Sequence, residues 1–350
     1  MRTTAASLSS FVFLASVLAG TTMSALTGCG GDTAGQPPAP VTENPAPAPA
    51  AEATLFAYVP QHPQALRVVG GQVFFTTKKS ILGGEPSDNG QVMTLDKNGQ
   101  VLSIALDRFG AGYEALASDG QELVWSTSDG RVMAVSVRGG DARTLNRGEP
   151  GIVSLAVDAS YVYVARDNAG AGSVSRIPRQ GGEPETILEG LVRPRGIAVG
   201  AAGVYVAMAG NGKKAGVIHR IDAQTLARTI VAEGQNAPCG IVADRGKVIW
   251  TNAGEGAADG TVMGLTGTTA TALATGQAAP CTVTTDADSA YWAPSSTLRA
   301  PLMKAKLAGG SPIAVALDGA ATVSTDLGTV AVDEQFVYWA TDTAILRAKK

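Results

Sequence analysis

The chain is short of the residues most enzymatic chemistry is built from. Two histidines and three cysteines occur among 350 residues. No HExxH pair, GxSxG elbow or His-rich tract is present, so the usual zinc and serine-hydrolase signatures are excluded. His62 lies between Pro60 and Pro63, and His219 sits in an apolar run with no second His or Cys near it; a structural or exposed role is expected for His219. An excess of one charge is also missing: 27 Lys and Arg stand against 30 Asp and Glu, for a formal net charge of -3. Without a basic stripe a phosphate backbone finds no footing, and nucleic acid is excluded as a partner. The glycine clusters 210–216 and 254–260 are not phosphate loops. A Walker motif needs Gly where Ala207 stands and a hydroxyl where Lys214 stands. No cofactor and no metal site is expected.

Glycine and short apolar runs are what the chain has in quantity, with 43 glycines and 45% hydrophobic residues. The stretch from Ile152 to Gly196 divides into LAV, YVYV, SVSRI and ETIL separated by turn residues, which implies four strands. The unit recurs. Phe75, Trp125, Val164, Val206, Trp250, Trp292 and Trp339 occupy one column at spacings of 39 to 50 residues, averaging 44. Four strands per repeat at that period predict the blades of a β-propeller. All four tryptophans fall in this column, inside a strand that is apolar throughout, and are expected in the core rather than in a ligand-stacking ladder.

A second column, Asp119, Asp158, Asp244, Asp286 and Asp333, lies six residues upstream and is expected to close the turn between the first two strands. Gly200 and Val69 replace it in two blades. Asn98-Gly99, Gly139-Gly140, Gly181-Gly182 and Gly309-Gly310 suit the hairpins between third and fourth strands. Counting first strands predicts seven blades, the seventh lacking a fourth strand. Residues 54–59 are expected to supply it, so that the two chain ends meet in one blade and no edge is left open. Cys239 and Cys281 follow Ala-Pro pairs at the same place in blades five and six. Neighbouring first strands should bring their Cα atoms to roughly 6–8 Å, the upper edge of disulfide geometry. A disulfide, a pair of free buried thiols, and a metal or redox role all remain open for them.

The first residues form a targeting segment. Arg2 gives a weakly positive start, and Phe11–Ala19 an apolar stretch short for a membrane span. Leu26-Thr27-Gly28-Cys29 then resembles the lipobox of bacterial lipoproteins. The resemblance implies cleavage of residues 1–28 and lipidation of Cys29, which would hold the protein to a membrane. Gly30 rather than Asp resembles the outer-membrane default of that family. Residues 29–53, rich in Pro and Ala, read as an extended tether, and 54–350 as the propeller.

The repeat, in forms such as PRGIAVGAAGVYVA, resembles extracytoplasmic propellers of the TolB-like, NHL-like and streptogramin-lyase-like kinds over residues 54–350. The lyases of that group use histidine and glutamate around a metal. This chain lacks those histidines, and no catalytic residue is carried over. The expectation is a non-enzymatic binding or scaffold lipoprotein of the outer membrane, facing periplasm or cell exterior, that meets an envelope or cell-surface protein through the loops between second and third strands. Those loops vary most between blades, and variable loops on a constant scaffold are where binding usually sits. Candidate contacts on that face are Lys78, Lys79, Arg193, Arg195, Asn211, Lys213, Lys214, Asn252 and Glu255. A propeller enzyme acting on a small molecule or glycan is the first alternative, and a polysaccharide-binding protein the second.

Overall fold

The apolar runs form seven sheets, each of four antiparallel strands. In blade 3 these are Ile152–Val157, Tyr161–Arg166, Gly172–Pro178 and Glu185–Leu191, hydrogen-bonded in that order. The other complete blades span 63–106, 113–147, 194–235, 238–277 and 280–316. The computed structural model describes residues 52–59, 63–77, 90–96, 98–106, 113–148, 150–256, 258–294, 301–316 and 330–350. All belong to one unit, Pro47–Lys350, and every regular element among them is a strand.

Blade 7 closes the ring as expected. Its sheet runs from Thr54–Tyr58 outermost, through Ala344–Lys349 and Phe336–Ala340, to Val330–Val332 at the axis. The N-terminal strand carries a bulge between Leu55 and Ala57, and the Val59 amide donates to Thr343 O at 2.7 Å just beyond it. First strands of successive blades lie side by side all round the axis.

The core sits between blades rather than within them, because a sheet must bury its faces against another layer. Blades 2 and 3 share one such cluster, including Val124, Leu145, Leu155 and Val164. The column of tryptophans and their equivalents is buried throughout, from Phe75 to Trp339. Two of its members carry a polar latch: the indole N–H groups of Trp250 and Trp292 each donate to a buried glutamine carbonyl, Gln235 and Gln277, at 3.0 Å. An indole needs such a partner once it leaves water.

Where one blade hands over to the next, a glycine faces a proline. Gly172, Gly216 and Gly260 open third strands beneath Pro194, Pro238 and Pro280. A Cβ at Gly172 would lie 2.6 Å from Pro194 Cδ, and a Cβ at either of the others would also overlap the ring of its proline.

The Asp column closes turns in four blades. Asp158 accepts the amides of Ser160 and Tyr161, each at 2.7 Å, and Asp119, Asp286 and Asp333 do the same. Asp244 departs from the expectation. Its turn passes through Arg245 and Gly246, both at positive φ (48° and 75°), and its carboxylate sits 3.2 Å from the Arg245 guanidinium instead.

Candidate functional site

The loops between second and third strands are hydrogen-bonded to the joints between blades, so both lie on one face. The Ala209 and Gly210 amides donate to Arg193 O and Val192 O, and those of Ala253 and Gly254 to Ala237 O and Asn236 O. Arg193, at φ 54°, is thereby held beside the 210–214 loop, its guanidinium 3.4 Å from Gly210 O. Arg193, Asn211, Lys213 and Lys214 are exposed, and Arg195 is half-buried. Glu255 is exposed too, and its amide, with that of Gly256, donates to Asp259. The two backbone donors, with Lys213 nearby, hold the Asp259 carboxyl below the usual range.

Asn252 does not belong with these contacts. It is buried, and its side-chain amide donates to Gln235 and Thr261, each at 2.9 Å, because it ends a strand that also carries Trp250. Lys78, Lys79, His62 and Cys29 lie outside the described residues. His219 is half-buried on a third strand; burial, then the Arg228 charge, lowers its pKa.

Cys239 and Cys281 sit on this same face at the starts of adjacent first strands and are joined as a disulfide, with Cα atoms 5.0 Å apart. That is closer than the 6–8 Å inferred from the repeat. Gly196 and Gly240, which have no side chain, let neighbouring first strands approach until a Cβ would press on Cys239 O or Cys281 O at 2.5 and 2.6 Å.

The opposite face, built from turns between first and second strands, holds an opening. A cavity of about 850 Å³ spreads across blades 5, 6, 7 and 1. Gly70 and Gly71 form one wall, since blade 1 lacks the Asp of the turn column and presents no side chain there. Asp286 forms another. Burial opposes its charge, but the Lys350 ammonium at 2.7 Å, the Asp288 and Ser289 amides and the Tyr291 hydroxyl outweigh it and hold the carboxyl at about 2.

One further spacing recurs along the Asp column. Five residues after Asp158, Asp286 and Asp333 stands a tyrosine, and Tyr163, Tyr291 and Tyr338 each donate their hydroxyl to that Asp at 2.7–2.9 Å. Burial, reinforced by the carboxylate, pushes all three hydroxyls up from their ordinary value. A D-x4-Y count along the Asp column would have found this pairing.

Along the axis a second cavity of about 460 Å³ is lined by first strands of all seven blades. Arg67 projects into it, partly open to the channel yet enclosed by protein, and donates to Leu66 O at 2.7 Å. Burial lowers its guanidinium to about 10, which leaves it charged at neutral pH.

No protein-family model matches the sequence, and no curated protein does. Among solved structures the chain is similar to a computationally designed protein, Ika8, with a TM-score of 0.55 and 14% identity over 85% of this chain and 99% of that one. It is also similar to a chain of a nidogen/laminin complex, with a TM-score of 0.49 and 18% identity over 62% of this chain and 86% of that one. At such identities the likeness is one of fold. The chain is a seven-bladed β-propeller of four-stranded blades, closed by its own N-terminal strand.

Proposed function

We propose that the chain is a non-enzymatic binding lipoprotein of the bacterial outer membrane, anchored through Cys29, whose propeller meets an acidic surface of an envelope or cell-surface protein. The observation that carries this reading is the cluster of Arg193, Lys213 and Lys214. Backbone bonds between the joint and its loop hold three exposed cations together on one rigid blade. Such a patch steers and orients a partner of opposite charge. Asp259 and Glu255 beside it set a boundary of the opposite sign, which favours one docking register over others.

Around the larger cavity, the groups with shifted pKa favour binding over proton transfer. Asp286 is held at about 2 and the Tyr338 hydroxyl is pushed up, whereas a general acid or base works best near the operating pH. The lipobox resemblance supports the anchor.

The test is reversible cross-linking of the lipidated protein in its own membrane, followed by mass spectrometry of what stays attached. One partner is expected near stoichiometry, and it should be lost when Arg193, Arg195, Lys213 and Lys214 are changed to Glu. Recovery unaffected by the reversal would reject this face. Protein that leaves the membrane in wash buffer without a Cys29→Ser change would reject the anchor.

A further inference from the structure

Blades 3, 4 and 7 place an arginine at the same position, Arg176, Arg220 and Arg347, and among the described residues only Arg176 forms an ion pair with a carboxylate. In blade 3, Arg176 pairs across the sheet with Tyr163 on one side and Glu185 on the other. Its Nε donates to Glu185 at 2.7 Å and its Nη1 to Ala223 O at 3.0 Å. In blade 7, Arg347 pairs with Tyr338 on one side and with Thr54 on the other, so a hydroxyl side chain stands where blade 3 has an acid. No carboxylate among the described residues forms an ion pair with Arg347.

Two aromatic rings hold it instead. The Arg347 guanidinium carbon lies 4.3 Å from the Phe56 ring centroid and 4.8 Å from that of Phe336. Phe56 falls at the bulge of the N-terminal strand, and a bulge re-aims a side chain. Stacking occupies the faces of a guanidinium; one in-plane N–H of Arg347 meets the Tyr338 hydroxyl, and its other in-plane donors are left to bond. Such an edge fits the two oxygens of a carboxylate. Arg347, Phe56 and Phe336 all line the cavity of about 850 Å³.

The acids of the cavity differ in their freedom. Asp286 is tied to Lys350, Asp333 to the Tyr338 hydroxyl and two amides, and Asp96 to the amides of Asn98 and Gln100. Asp288 and Glu334 are exposed at the rim. Five carboxylates against Arg245, Arg347 and Lys350 make the lining net negative, which repels a polyanion. A lone cation would leave the guanidinium edge unserved.

We infer that this cavity is a binding site for a small zwitterion, an amino acid or short peptide with free termini. Its carboxylate sits on the edge of Arg347 and its ammonium at Asp288 and Glu334. The volume suits a ligand of that size. The site lies on the face opposite the proposed protein contact and goes beyond that reading.

The test is calorimetric titration of the full chain with trialanine, N-acetyl-trialanine and trialanine amide. Trialanine is expected to bind, and each cap to weaken binding by about tenfold or more, since either cap leaves one charged group of the site unpaired. Arg347→Met should remove the preference for the free carboxylate. Thr54→Glu recreates the blade 3 pairing with every cavity residue kept. It should fold as the parent does, by melting curve, and bind trialanine about tenfold or more weakly, because Arg347 then has an internal partner. Absence of binding heat at millimolar trialanine, equal affinity for the three peptides, or undiminished binding by a folded Thr54→Glu variant would each overturn the proposal.

Discussion

Blades 3 to 6 and the closing pair, blades 7 and 1, solve the same packing problem by different means. In the first sector the handovers repeat one device, a third-strand glycine under the next blade's proline, and a disulfide between blades 5 and 6 reinforces it. In the second, closure rests on one added strand, and the turn of blade 1 is Gly70-Gly71 with no carboxylate. The glycine-proline contacts fill the handovers of the regular sector, and the cavity opens where blades 7 and 1 meet the turns of blades 5 and 6. A repeat can be tightened wherever the same contact recurs, but the place where a circular array meets its own beginning has no such precedent, and that is where room for a ligand remains.

The largest effect that would sharpen this contrast concerns the disulfide. Replacing Cys239 and Cys281 by Ser is expected to cost up to about 4 kcal/mol, the loop-closure figure for a separation of 42 residues. The urea midpoint should fall, and reductant should lower the parent's midpoint without moving the variant's.

Next is the glycine-proline seam. Gly216→Val forces a side chain into the Pro238 ring, and overpacking of this kind costs about 1–3 kcal/mol. A glycine in a first-to-second-strand turn of the closing sector gives the contrast: Gly71→Ala meets open space and should cost only about 1 kcal/mol, from its positive φ of 78°. Equal losses in the two variants, measured by denaturant unfolding, would break the comparison.

The smallest effect is a pH dependence at the cavity wall. Asp286 titrates at about 2 in the fold against an ordinary value of 3.8. Its ionised form therefore stabilises the protein above about pH 4, and that contribution disappears as pH falls through about 2. Asp286→Asn should lower stability near neutrality while flattening the acid limb between those values. An unchanged acid limb would show that the bond to Lys350 contributes nothing.

The repeat made most of this architecture legible before any coordinates. Turn glycines, the buried aromatic column and the Asp column are local or strictly periodic features, and each blade repeats the same requirement of backbone geometry and burial. Asp244 escaped the reading because Arg245 and Gly246 reach the same turn through positive φ. The face with variable loops was also recognisable, although Asn252 was counted among its contacts when its position at the end of a buried strand commits it to Gln235 and Thr261.

What the sequence by itself determined is the periodic part: strand, turn, blade and the number of blades, because each depends on residues close together in the chain. The closing strand was legible as well, because residues 54–59 stand outside the seven units; tertiary structure alone decided which side chains meet across the closure. Thr54 and Arg347 are 293 residues apart and Asp286 and Lys350 are 64 apart, and no local pattern brings either pair together. Their meeting follows from the packing and closure of the ring, which set Arg347, with no carboxylate ion pair among the described residues, at the edge of a cavity.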